Sequence, residues 1–357
     1  MNTTLDLTEL NSRIGQLFMA GMPGPQLDDV TEVLIRDYNV GGIILFTRNI
    51  QDPLQLARLC RQLQDVALEY HDRPLFLAVD QEGGRVARLK EPFTLFEGNS
   101  AIGRSDRPVE KAMEFGETTA REMNLVGLNM NLAPVVDVQR GELEKHLAGR
   151  SFGEDPEAVA LLGRTVIASL QGNGVMAVAK HFPGLGRTSV DPHFQLPRID
   201  IDLDEMEAIN LPPFRAAVRE GVSAIMTSHA IYPAIDPESP ATLSPGILMN
   251  LLREEMAFEG LIITDDLEMG AIARQQGVAD GACQAFRAGA DILLICKDQE
   301  KVLESIKLLR NKMLQDEITL ARLDQSLRRI ETTKFRFLTR VQEISAAEVQ
   351  EYFHLSV

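Results

Sequence analysis

Cysteine is scarce: Cys60, Cys283 and Cys296 are the only three in 357 residues. An odd number, widely spaced and each inside an apolar run, excludes a disulfide framework and a cysteine-based zinc site. The residues read as buried reduced thiols. Positive charge is also in short supply, with 36 Lys and Arg against 52 Asp and Glu and a formal net charge of −16. A surface that acidic is repelled by nucleic acid and by anionic membrane, so neither is an expected partner. No apolar run approaches the ~20 residues needed to span a bilayer. The first 18 residues, MNTTLDLTELNSRIGQLF, lack a basic segment followed by a long apolar one, so a cytoplasmic location is expected. No metal-ligand spacing and no Gly-x-Gly-x-x-Gly opening a helix is found, so neither a metal nor a cofactor is expected. Linkers and low-complexity tracts are missing too, and residues 1–357 read as one domain.

What is present is a soluble globular composition, 45% hydrophobic and 25% charged, with enough apolar material for a large core. Short apolar runs alternate with longer amphipathic segments. The runs are Leu17–Gly21, Gly42–Phe46, Leu75–Val79, Asn131–Val136, Met176–Ala179, Ser223–Met226, Leu261–Thr264 and Asp291–Ile295. Segments such as Gln26–Tyr38, Pro53–Tyr70, Val109–Leu125, Pro156–Gln171 and Leu203–Glu220 carry helical spacing between them. Strand and helix in alternation imply a parallel sheet with crossover helices, and eight repeats match a single (β/α)8 TIM-type barrel. The barrel would take up about residues 14–300, with a C-terminal helical tail over about 300–357. A doubly wound open sheet is the competing architecture.

The residues that end the runs are polar. Asp80, Asp137, Lys180-His181, Thr227-Ser228-His229 and Asp265-Asp266 follow five separate runs. In a barrel the C-terminal strand ends converge on one mouth, where active sites sit. Asp266 reads as the cap of the next helix. Side chains alternate along a strand, so Asp265 and Asp266 cannot both face inward.

Three stretches carry a resemblance. The segment Leu251–Leu267, LLREEMAFEGLIITDDL, resembles the signature of the family 3 glycoside hydrolases. In that family the aspartate after Ser or Thr at the strand end attacks the anomeric carbon, which implies Asp265 as nucleophile. Residues 180–193, KHFPGLGRTSVDPH, resemble the segment that marks the bacterial β-N-acetylglucosaminidase branch. The match implies His193 as acid/base with Asp191 orienting it, and Lys180 and His181 as ligands of sugar hydroxyls. Histidine suits the work at neutral pH, and a neighbouring carboxylate favours its protonated form. Residues 78–88, AVDQEGGRVAR, resemble the stretch whose aspartate and second arginine bind the non-reducing sugar, here Asp80 and Arg88. Arg85 reads as a structural ion pair with Glu82. Asn131–Asp137 and Gly149–Pro156 resemble the fourth strand and its loop, which implies that Arg150 touches substrate; Gln139–Ala148 fits the pattern poorly and reads as a small insertion. Ser228–Pro233 matches a pocket wall, where His229 either contacts sugar or serves as a structural histidine. Two departures stand out. Leu185 replaces a histidine usual in the branch, and Glu268 stands where a small polar residue is usual, either crowding the pocket or adding a carboxylate.

The resemblance covers roughly residues 14–300 and implies a retaining hydrolase releasing terminal β-linked GlcNAc, with cell-wall muropeptide fragments as natural substrate. Phosphorolysis with the same residues, or a β-glucosidase or xylosidase of the same family, is the alternative. A Schiff-base aldolase using Lys180 would leave Asp265, Asp191 and His193 without tasks, and a metal-dependent hydrolase would want a His-x-His that is missing after the first run. A sugar-binding protein without catalysis would need a lesion in residues that are intact.

Overall fold

The computed structural model describes residues 6–141, 147–188, 191, 194–339 and 344–355. Eight strands form its sheet: β1 (Phe18–Gly21), β2 (Gly42–Leu45), β3 (Phe76–Val79), β4 (Met130–Asn131), β5 (Met176–Phe182), β6 (Ala224–Thr227), β7 (Leu261–Ile263) and β8 (Leu293–Ile295). All ladder pairs are parallel, in the spatial order β7-β6-β5-β4-β3-β2-β1-β8. A parallel bridge between Ile263 and Ile292 joins the two edge strands. The result is a (β/α)8 barrel of TIM type. Its strands are buried on both faces, which is why they read in the sequence as continuous apolar runs rather than alternating ones.

The fourth run, Asn131–Val136, gives only a two-residue strand. Pro134 lacks an N–H and interrupts the ladder. Pairing resumes beyond it, with Lys180 N–H donating to the Pro134 carbonyl and Val136 N–H to that of Lys180. Aspartates start the helices between strands. Asp28, Asp52 and Asp155 each accept a backbone N–H of the first turn, and Pro53 and Pro156 open the latter two helices, where a missing N–H is harmless. No helix among the described residues is long and apolar enough to cross a membrane.

Of the region read as a tail, helix Gln299–Leu314 follows β8 as a barrel crossover helix does. Helix Leu320–Leu338 runs at the base of the barrel, against the strands' N-terminal ends. There Arg322 donates to the Ala290 carbonyl at 2.7 Å, and Lys334 to Gln16 Oε1 at 2.9 Å just ahead of β1. The opposite face, at the C-terminal strand ends, is left for the loops.

Candidate active site

Asp80 directly follows β3, Asp137 follows β4, and Asp265 lies two residues past β7. Lys180 and His181 are not beyond their strand as expected. β5 continues to Phe182, so both belong to it, and their side chains enter the mouth from the ladder itself. Asp80, Arg88, Arg150, Lys180, His181 and Asp265 all line one cavity of about 370 Å³.

Charge within it is laid out as a chain. Arg88 Nη2 lies 3.2 Å from Asp80 Oδ2, and Lys180 Nζ lies 2.8 Å from Asp80 Oδ1 and 2.7 Å from Glu82 Oε1. Glu82 is held on its other side by Arg150, whose Nε and Nη2 donate to its two oxygens at 2.8 Å each. Burial pushes the Glu82 carboxyl up and the Lys180 ammonium down. The partners outweigh burial in both cases, so Glu82 stays below the usual carboxylate range and Lys180 above the usual lysine value. Buried charges are tolerated here because each is paired and hydrogen-bonded. The expected Arg85–Glu82 pair is replaced by this arrangement: Glu82 serves Arg150 and Lys180, and the exposed Arg85 lines the rim of the cavity.

Asp137 organises the neighbouring corner. Its Oδ1 accepts from the N–H of His181 at 3.1 Å and of Leu185 at 2.7 Å, and its Oδ2 lies 2.8 Å from His181 Nδ1. A carboxylate only accepts, so Nδ1 donates to Asp137, and Nε2 lies 3.4 Å from Arg150 Nη2 beside the cavity. The chain then turns through Gly184, at φ +121, and Gly186, where a Cβ would stand 1.9 Å from the Val138 carbonyl oxygen. Only glycine lets the loop lie this close to the β4 end, and Arg140 N–H adds a hydrogen bond to the Gly186 carbonyl. Leu185, in place of the usual histidine, is buried and presents an apolar wall to the cavity.

Asp265 forms part of the floor. Burial raises its pKa, but His181, His229, the Asp266 N–H and Lys180 together hold it below the ordinary aspartate value, so it is ionised at neutral pH. Asp266 is driven the other way, to about 7, by burial and by the charges of Glu268 and Asp265, against hydrogen bonds from the Glu268 and Cys296 N–H groups. It is not the helix cap the sequence suggests; the next helix begins at Gly270, with Met269 at its N-cap position. Asp266 instead fastens the turn after β7 to the end of β8.

Residues 9–333 match the family described as Glycosyl hydrolase family 3 N terminal domain. The chain is a family 3 glycoside hydrolase. The hydrolase is 36% identical over 335 residues to a beta-hexosaminidase of Alkalilimnicola ehrlichii, a match covering 92% of this chain and 94% of that one. It is 38% identical over 279 residues to beta-hexosaminidase A of Pseudoalteromonas piscicida, covering 73% of this chain and 46% of the relative, so it spans about half that protein's length. The structure of a glycoside hydrolase family 3 beta-N-acetylglucosaminidase from Paenibacillus sp. str. FPU-7 superposes with a TM-score of 0.90 at 36% identity, over 98% of this chain and 68% of that one.

Not every residue singled out from the sequence falls in the hydrolase's cavity. His193 lies outside the described residues, and Asp191 is half-buried on the loop beyond Thr188. His229 is buried but is not in the cavity lining. Its Nε2 donates to the Asp266 carbonyl at 3.0 Å and its Nδ1 meets the Thr242 hydroxyl at 2.7 Å, so the geometry favours the structural reading over sugar contact. Glu268 neither crowds the cavity nor adds a carboxylate to it. Its Oε2 accepts from the N–H groups of Lys297 at 2.6 Å and Asp298 at 3.2 Å, which turns it away toward the loop after β8. Sequence reasoning gave no site role to Asp137 or Glu82. Asp137 was visible as one more acid at a strand end, but Glu82 carried no signal beyond its place in a matched stretch.

Proposed function

We propose that this hydrolase is a retaining β-N-acetylglucosaminidase that releases terminal β-linked GlcNAc by double displacement. Asp265 attacks C1 while His193 protonates the departing glycosidic oxygen. His193 then takes a proton from water, which displaces the aspartyl ester and frees the sugar with its configuration retained. Asp191 orients the imidazole. Asp80 and Lys180 hold sugar hydroxyls, with Arg88, Arg150 and His181 completing the binding set.

The observation that carries the reading is the state of Asp265, an ionised carboxylate on the floor of a cavity rimmed by paired charges. The relatives named beta-hexosaminidase and beta-N-acetylglucosaminidase support the choice of sugar. A cavity of about 370 Å³ is near the lower end of small-molecule sites, as suits one sugar unit cut from a chain end. For the natural substrate we propose GlcNAc linked β-1,4 to anhydro-N-acetylmuramic acid, with or without its peptide, in cell-wall turnover inside the cell.

A panel of aryl β-glycosides tests the reading. The N-acetylglucosaminide should turn over at least tenfold faster than the glucoside or xyloside, with no acceleration by added phosphate. Equal activity on the glucoside would overturn the sugar assignment, and a phosphate-dependent rate would replace hydrolysis by phosphorolysis.

A further inference from the structure

We propose that a basic hollow on the N-terminal face of the barrel binds a phosphorylated small molecule, gripping its phosphate between Arg328, Arg329 and Arg336. The hollow measures about 620 Å³ and lies between helix Leu320–Leu338 and the segments that lead into β6 and β7, residues 221–223 and 257–260. Those segments enter the strands at the end opposite Asp265, so the hollow is on the far side of the barrel from the catalytic mouth.

Its charge is out of keeping with a chain of net −16. Three arginines line it against one acid, Glu259. Arg328 and Arg336 are exposed, and no ion pair to a carboxylate is found for either among the described residues; Arg336 Nη1 reaches only the Gly221 carbonyl, at 3.5 Å, and its guanidinium lies over the Phe337 ring. Arg329 Nη1 reaches Asp291 Oδ1 at 3.3 Å, but that buried aspartate is already shared with Arg253 and with Arg322 at 3.7 Å. Three guanidiniums thus share the one Asp291 carboxylate. Burial, opposed by Asp291 and added to by the charges of Arg329 and Arg322, holds the neighbouring Arg253 down to about 10.

An anion supplies what is lacking. Guanidinium forks bind oxyanions two oxygens at a time, and a phosphate brings more charge and more oxygens to several arginines than a monovalent carboxylate does. Val218 and Phe337, whose ring Arg336 Cζ overlies at 4.9 Å, add apolar surface beside the arginines. The volume suits a hexose phosphate or a nucleotide better than free phosphate.

Titration calorimetry on the full chain with inorganic pyrophosphate, a hexose phosphate and a nucleoside diphosphate, against chloride of equal ionic strength, tests this. Saturable binding is expected, at least tenfold weaker in Arg328→Ala/Arg336→Ala, with kcat/KM on the aryl substrate unchanged. Which probe binds tightest identifies the ligand's body. Arg336→Lys keeps the charge and the fold but loses the fork, and should weaken binding severalfold. Absence of saturable binding above the chloride control would overturn the proposal, as would undiminished binding in Arg336→Lys or the double variant. A signal abolished by Arg88→Ala instead would put the anion in the catalytic cavity and overturn it equally.

Discussion

Asp137 accepts three hydrogen bonds, two from the backbone N–H groups of His181 and Leu185 and one from the His181 ring. In the reaction proposed above it acts through His181, as a positioning residue. Asp137→Asn keeps the shape but replaces one acceptor oxygen by an NH₂, which faces an N–H donor and loosens the hold on the His181 ring. A charge-assisted hydrogen bond contributes about 1.5–3 kcal/mol, so kcat/KM should fall on the order of 10- to 100-fold. Its pH profile should shift while far-UV circular dichroism stays unchanged. A wild-type profile in the variant would show that the contact is structural only. Glu268, by contrast, points away from the cavity. Its sequence position, three residues from Asp265, suggested an intruding carboxylate. Proximity in sequence carries no direction, and the groups that turn it outward belong to Lys297 and Asp298, on another loop.

The barrel strands were legible because a parallel strand covered on both faces must be apolar throughout, and each of the eight runs contains or overlaps a strand. Polar residues at the run ends found the mouth for the same geometric reason. Pairings between elements were not legible. Arg150 and Glu82 are 68 residues apart, and nothing local distinguishes Arg150 from the Arg85 first assigned to that carboxylate. Nor did the pattern show that β5 carries Lys180 and His181 within its ladder, since polar residues ordinarily mark a strand's end. The loop after β5 offers a direct test of how tightly these elements must seat. Gly186→Ala would place a Cβ 1.9 Å from the Val138 carbonyl oxygen. Backbone faces backbone there, so the loop must move rather than a side chain swing aside. The variant should lose about 1–3 kcal/mol of stability and a larger share of activity, read from thermal melts and kcat/KM. Wild-type values for both would mean that the close seating is not needed.

The molecule as a whole divides its work between two faces, chemistry at the C-terminal strand ends and closure at the base. Lys334 shows what the base requires. It is buried over the Phe76 ring, 4.9 Å from the centroid, and donates to Gln16 Oε1. Burial and the charge of Arg73 hold its pKa down to about 7, with Glu331 opposing them. The unfolded chain, with a lysine near 10.5, therefore binds more protons between pH 7 and 10.5, and stability should rise with pH across that window. The gain should be on the order of a few kcal/mol. Lys334→Met should flatten the slope in denaturant titrations at pH 7 to 10; an unchanged slope would show that Lys334 is not its source. At the other face, the proposed reaction makes Asp265 the nucleophile of a double displacement. Incubation with an activated 2-deoxy-2-fluoro glycosyl donor, followed by peptide mass spectrometry, tests it most directly. One sugar should be found esterified to Asp265, with none formed in Asp265→Asn, whereas a label on Asp266 or Glu268, or turnover by Asp265→Asn near the wild-type rate, would contradict it.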